Sequence, residues 1–295
     1  MKKVVSLLLA LMLVLACVGC GTKNESAPAE DAAANEQTDE GTEAAEPEAG
    51  ADEDAAQPEA DAEDENAEPE TDADTAADDV KSEGVMTYDE YVAAELDTEV
   101  VVETYVQAKQ SWWEDKATVY SQDKDGGYFL YNMACSEEDY EKLTPGTKIK
   151  VTGYKSEWSG EVEIIDATFE IEEGNYVAEA QDVTALLGKD ELIDHQNKFV
   201  TFKGMTVEAS KDADGNDVAF LYNWDGSGQD GDDLYFNVSL DGSTYTFTVE
   251  SYLCDNTTDV YNAVKGLNIG DQVDMEGFLY WYEGVNPHIT SVTVK

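Results

Sequence analysis

Beyond Ser82 apolar and polar residues alternate with a period of two, in runs rich in Val, Ile, Tyr, Phe and Trp that are broken by Asp-Gly pairs. Such alternation puts every second side chain on one face of an extended strand, and Asp-Gly is a favoured hairpin turn. The pattern predicts strands near 99–110, 117–122 and 127–133, then 147–155 and 161–171. Between the third and fourth, Ser136-Glu-Glu-Asp139 supplies a helix N-cap with an acid at its third position, and Thr144-Pro145-Gly146 ends the helix near Leu143. Short helical segments, Tyr88 to Leu96 and Asp190 to Gln196, are expected ahead of two such sets of strands.

The two sets are copies of one unit. Gly146-Thr-Lys-Ile-Lys-Val-Thr-Gly153-Tyr154 recurs as Gly270-Asp-Gln-Val-Asp-Met-Glu-Gly277-Phe278, with paired glycines seven apart in both. Trp158 and Gly160 stand five and seven residues past Gly153, and Tyr282 and Gly284 stand at the same offsets past Gly277. Upstream, Tyr131 and Cys135 correspond to Tyr252 and Cys254 within a small shift, and a helical stretch holding Tyr140 or Tyr261 follows.

Five strands with a helix between the third and fourth resemble the OB-fold, a barrel whose binding surface uses strands two and three with their flanking loops. The resemblance rests on element order over residues 97–171 and 197–294. It implies a mainly β chain with two tandem OB-fold-like five-stranded barrels, short helices and a disordered acidic linker ahead of them. The expected division is a signal peptide over 1–19, a lipidated tether over 20–82, a first barrel over 83–178 and a second over 179–295. The second copy carries an insertion at 211–233 between its first two strands.

Charge narrows the partners. Asp and Glu total 66 against 17 basic residues, all of them Lys, for a formal net charge of -49. Phosphate backbones are held by cations, and bidentate phosphate and base contacts favour Arg, so this composition predicts no nucleic-acid partner. It also repels anionic membrane surfaces, so that attachment to a membrane has to be covalent or hydrophobic.

The N-terminus supplies such an attachment. Met1-Lys2-Lys3 is a basic n-region, and Val4 to Val18 is an apolar run of 15 residues, shorter than the about 20 that a spanning helix needs. The run ends in Cys17-Val18-Gly19-Cys20-Gly21, which resembles the lipobox of bacterial lipoproteins. The resemblance implies cleavage before Cys20, with palmitate-type acylation and a lipid anchor on the outer face of the cell membrane. That family prefers Leu three residues before the cysteine, where this chain has Cys17, so Val14-Leu15-Ala16-Cys17 is a rival box. The whole arrangement is similar to tandem OB-like lipoproteins of Gram-positive bacteria, a resemblance that implies a location and no activity.

From Asn24 to Val80 there are 23 acids, no Lys, and prolines at 28, 47, 58 and 69. Like charges at helical spacing repel and proline interrupts each helix, so disorder is expected. A flexible chain of this length spans about 40 Å, and full extension caps it at roughly 200 Å. It serves equally as a spacer or as a plain linker.

Candidate chemistry lies in the barrels. Trp112, Trp113, Trp158, Trp224, Tyr280, Trp281 and Tyr282 stand near strand ends and loops, where rings bind chains by stacking or else cover the barrel. Trp112 and Trp113 are the pair expected to be exposed, because neighbours on a strand face opposite ways. Asp225, Asp230, Asp232 and Asp233 offer oxygen ligands in a loop of the kind calcium takes, without EF-hand spacing. His195 and His288 stand alone, and no GxSxG, HExxH or phosphate loop is present. Cys135 and Cys254 fit one bridge or two lone buried thiols. The expectation is a non-catalytic, cofactor-free binding or adaptor protein for a peptide, protein or glycan. The alternatives are a calcium-dependent structural envelope protein and, further off, a cell-surface enzyme.

Overall fold

The computed structural model describes residues 81–295. The expected signal peptide, Cys17, Cys20 and nearly all of the acidic tether lie outside the described residues.

The first unit opens with α1 (Tyr88–Ala93), which Thr87 caps through a reciprocal box with Glu90. It continues with β1 (Glu99–Lys109), β2 (Lys116–Gln122), β3 (Gly127–Ala134), α2 (Glu137–Lys142), β4 (Thr147–Trp158) and β5 (Glu161–Asn175). The strands close into a barrel in the order β1-β2-β3-β5-β4. Only the β3–β5 contact is parallel among its pairings. Period-two alternation sends Val100, Val102, Val119, Leu130, Ile149, Val151 and Ile164 inward, where all are fully buried.

The second unit repeats the plan with additions. Its strands are β6 (Gln181–Asp182), β7 (Phe199–Glu208), β8 (Ser210–Lys211), β9 (Asp217–Val218), β10 (Leu221–Tyr222), β11 (Leu234–Leu240), β12 (Ser243–Val249), β13 (Gln272–Phe278) and β14 (His288–Val294), with α3 (Asp259–Lys265) between β12 and β13. The ring β7-β11-β12-β14-β13 closes through the β11–β7 pairing, and β8, β9 and β10 are the small hairpin pieces of the insertion. Again one contact within the ring is parallel, β12 with β14. Two 3-10 turns, Thr184–Leu186 and Asp190–His195, join the barrels where one helix was expected over Asp190 to Gln196.

The duplication is visible atom by atom. Gly146 and Gly270 both take a positive φ, 90° and 93°, which glycine adopts without steric cost. The Gly146 amide donates to Val106 O at 2.7 Å, and the Gly270 amide to Val207 O at 2.8 Å, so each glycine ties the fourth strand's start to the end of the first. Gly153 and Gly277 let the fourth strand crowd the fifth. A Cβ at the first would stand 2.7 Å from Ile164 Cγ2, and at the second 2.2 Å from His288 O.

The two barrels pack directly on each other. Tyr120 and Phe129, on the outer faces of β2 and β3, are buried against Phe278 of β13, with Phe199 beside it. Tyr120 and Phe278 stack with centroids 4.5 Å apart. Gln122 Oε1 accepts from the Phe199 amide at 2.7 Å, and Gly127 lies so near the Asn197 backbone that a Cβ would sit 2.3 Å from its carbonyl carbon. Part of the surface formed by strands two and three of the first barrel is therefore consumed as an interface. Among the described residues no helix is long and apolar enough to cross a membrane.

Candidate functional site

Beside that interface the barrels part to leave a cleft of about 900 Å³. From the first barrel it takes the β1–β2 loop, the outer residues Thr118, Phe129 and Tyr131 of β2 and β3, and Trp158 at the end of β4. The second contributes Trp224 of the insertion, Tyr235 and Thr248 from the outer faces of β11 and β12, Glu250 and Tyr252 just past β12, and Tyr280 and Tyr282 beyond β13. Strands two and three of both copies thus face one another across the opening.

Of the seven aromatic candidates, five line this cleft: Trp113, Trp158, Trp224, Tyr280 and Tyr282. Trp224 and Trp113 leave 75% and 69% of their surface to solvent, and Trp158 leaves 53%, exposures that a purely structural tryptophan would not show. The other two are structural. Trp112 donates from Nε1 to Cys135 O at 2.9 Å. The Trp281 ring packs on Gly160, whose φ of 95° and missing Cβ make room for it. The expectation that Trp112 and Trp113 share an exposed strand is corrected. They lie in the loop between β1 and β2, where strand alternation does not operate, and only Trp113 is exposed.

The floor of the cleft is polar and was not singled out from the sequence. Glu250, 9% exposed, accepts from Gln110 Nε2 at 3.1 Å and from the Tyr252 amide at 3.3 Å. Burial, with Asp233 nearby, pushes its carboxyl up to about 7. Gln110 Nε2 also reaches the Tyr120 oxygen at 3.5 Å, and Tyr120 stands 2.6 Å from His288 Nδ1. Burial drives the His288 pKa down to about 3, so the ring is neutral. One proton is shared between the Tyr120 oxygen and His288 Nδ1 in this contact. Tyr280 covers this ring, stacked at 4.2 Å between centroids. Burial also raises the Tyr280 and Tyr235 hydroxyls, the latter to about 12, so both stay protonated.

Glu250 could have been found. Phe247 and Val249 point inward along β12, so Thr248 and Glu250 continue the outward set at the end of a third strand, where OB barrels carry binding residues. For His288 no such signal exists, because its partners Tyr120 and Tyr280 come together only through the packing of the barrels. His195 ends a 3-10 turn away from the cleft.

The acidic loop does not converge. Asp225 accepts from the Ser227 amide, Asp232 from the Gln229 amide, and Asp233 from the Ser251 amide and hydroxyl. Asp230 pairs with Lys265. Among the described residues no three acid, His or Cys side chains gather as a metal site. Cys135 and Cys254 are both free and buried, each close ahead of its copy's helix.

No family model and no curated protein matches the chain. Solved structures similar to it include the tetrameric p202 HIN2 domain, at 11% identity over 68% of this chain and 96% of that one, with a TM-score of 0.29. A murine DNA-binding protein bound with ds DNA matches at 13% identity over 66% and 94%, TM-score 0.30. A replication protein A heterotrimer bound to ssDNA matches at 9% identity over 73% and 70%, TM-score 0.24. Two of these three structures hold DNA, and the exclusion of nucleic-acid partners drawn from charge is withdrawn. The fold is identified by the barrels' own strand order and closure, as a tandem pair of OB-like barrels.

Proposed function

We propose that this chain is a lipid-anchored, non-catalytic binding or adaptor protein of the outer membrane face, which holds an extracellular peptide, protein or glycan in the cleft between its barrels. The observation that carries the reading is the cleft itself. It is preformed, it is walled by Trp113, Trp158, Trp224, Tyr280 and Tyr282, and its large rings stand exposed. Concave sites with aromatic walls and a few buried polar groups are the common form of ligand sites. Rigid exposed rings bury large area on binding at small entropic cost.

The neutral His288 ring and the protonated tyrosines act here as fixed hydrogen-bonding groups that orient a ligand. Direct packing of the barrels keeps the walls in register, so little ordering is needed when a ligand arrives.

The test is a peptide and glycan array probed with the full chain, repeated with Trp113→Ala and Trp224→Ala. These rings are largely exposed, so the fold tolerates their loss. Binding that falls about tenfold or more in each variant supports the cleft, and binding that is unchanged in both refutes it. Mass spectrometry of the N-terminus tests the anchor independently: a diacylated Cys20 is expected, and an unmodified cysteine there and at Cys17 would sink it.

A further inference from the structure

We propose that the occupant of the cleft is a cationic peptide segment, which places a lysine ammonium between the aromatic walls and against Glu250. The inference rests on the cleft being the binding site, and its test separates failure of the cation from failure of the cleft.

Two of the four buried acids of the first barrel have lysine partners. Asp123 is 3% exposed and meets Lys81 at 2.7 Å, and Glu103 is 2% exposed and meets Lys148 at 3.1 Å. Glu250 is nearly as buried, yet its hydrogen-bond partners are neutral donors, and no cation among the described residues pairs with it. A carboxylate taken out of water without a counter-ion is destabilised, and an arriving ammonium relieves that cost. Glu250 differs from the other buried acids without a lysine partner, Glu161 and Glu163, in opening onto the cleft.

The walls select the same charge. Indole and phenol faces carry negative quadrupoles that attract an ammonium, more strongly where water is thinned out. Asp233 and Glu283 also line the cleft, against Lys116 alone on the basic side. Around them residues 81–295 hold 43 acids and 14 lysines, a field that draws cations towards the opening.

A peptide fits better than a small amine. The volume of about 900 Å³ takes several residues. The floor offers Glu250 as an acceptor for its side chain.

The experiment titrates the full chain with tetralysine amide and follows tryptophan fluorescence. All five tryptophans lie between 112 and 281 and three line the cleft, so the signal does not come from the acidic tether. The probes compared are tetralysine, the same peptide with acetylated side chains, and an oligothymidylate; the variants are Glu250→Gln, which keeps the size of the side chain, and Trp224→Ala. The tether is the same in every variant, so its own attraction for lysine cancels between parent and Glu250→Gln, and that comparison decides the role of Glu250. Expected are a loss of about tenfold on acetylation of the peptide, a similar loss in Glu250→Gln, and a loss in Trp224→Ala. The proposal is overturned if acetylated and free peptide bind alike, if Glu250→Gln binds as the parent does, or if the oligothymidylate binds more tightly than tetralysine. In any of those cases a persisting effect of Trp224→Ala keeps the cleft as a site for another ligand. No effect of Trp224→Ala on any probe removes the cleft as well.

Discussion

Trp158 and Tyr282 hold the same place in the two copies, and they pack against each other with ring centroids 5.1 Å apart and planes tilted by 35°. The next residues continue the pairing, since the Glu283 amide donates to Ser159 O at 2.7 Å. Both turns bend through the same left-handed pair, Ser159-Gly160 and Glu283-Gly284, all with positive φ. Equivalent hairpin tips of a duplicated unit therefore meet at the mouth of the cleft. A double-mutant cycle of Trp158→Ala and Tyr282→Ala is expected to give a coupling of about 0.5–1.5 kcal/mol in urea unfolding. Strict additivity would mean that the rings do not hold the tips together.

Gly127 lets the barrels touch. A Cβ there would stand 2.3 Å from the Asn197 carbonyl carbon, where backbone rather than a pliable side chain has to move. Gly127→Ala is expected to destabilise the chain by about 2–4 kcal/mol in chemical unfolding, as overpacking against fixed backbone does. An unchanged midpoint would show that the barrels can separate freely at this edge.

Glu161 sits fully buried between the barrels, where Oε2 accepts from the Trp281 amide at 2.8 Å and from Gln196 at 3.2 Å, while Oε1 has no partner. Burial raises its pKa from 4.5 to about 8. The folded state thus binds a proton that the unfolded chain has released, so stability falls as pH rises from 4.5 to about 8, by at most about 1.4 kcal/mol for each unit. Glu161→Gln removes this slope. Melting temperatures of parent and variant should converge near pH 4.5, with the variant more stable at pH 8; parallel curves would contradict the assignment.

Lys155 reaches from β4 under the end of α1, and its Nζ donates to the carbonyls of Tyr91, Val92 and Ala94 at 3.0, 2.8 and 2.9 Å. Helix ends leave carbonyls without partners, and α1 carries no basic residue in its last turn. Lys155→Met keeps the volume and removes the three bonds, for an expected loss of about 1–3 kcal/mol by calorimetry. If the transition is unaffected, α1 is held by Tyr91 packing alone.

Much of the fold was legible because it is written locally. Alternation placed the strands of the first barrel, Ser136 marked the start of α2, and the spaced glycines revealed the repeat, each through steric or capping rules that act within a few residues. The site was only partly legible. Trp113, Trp158 and Trp224 were visible as candidates, but Trp112 and Trp281 could not be told from them, since an indole in a loop looks the same whether its N–H meets a carbonyl or solvent. Glu250 was legible only through its outward place at the end of a third strand, since as an acid it is one of 66.

By itself, then, the sequence determines which residues face inward, because period-two alternation is a property of each strand taken alone. What happens to the outward face was decided by tertiary structure. Tyr120 and Phe129 lie on it and are buried, Tyr131 lies on it and is exposed, and His288 gains its partner from 168 residues away. The physical reason is that a barrel's outer surface carries no internal code for its neighbour. Only the packing of the second copy against the first turns one part of that surface into an interface and leaves the rest as a cleft.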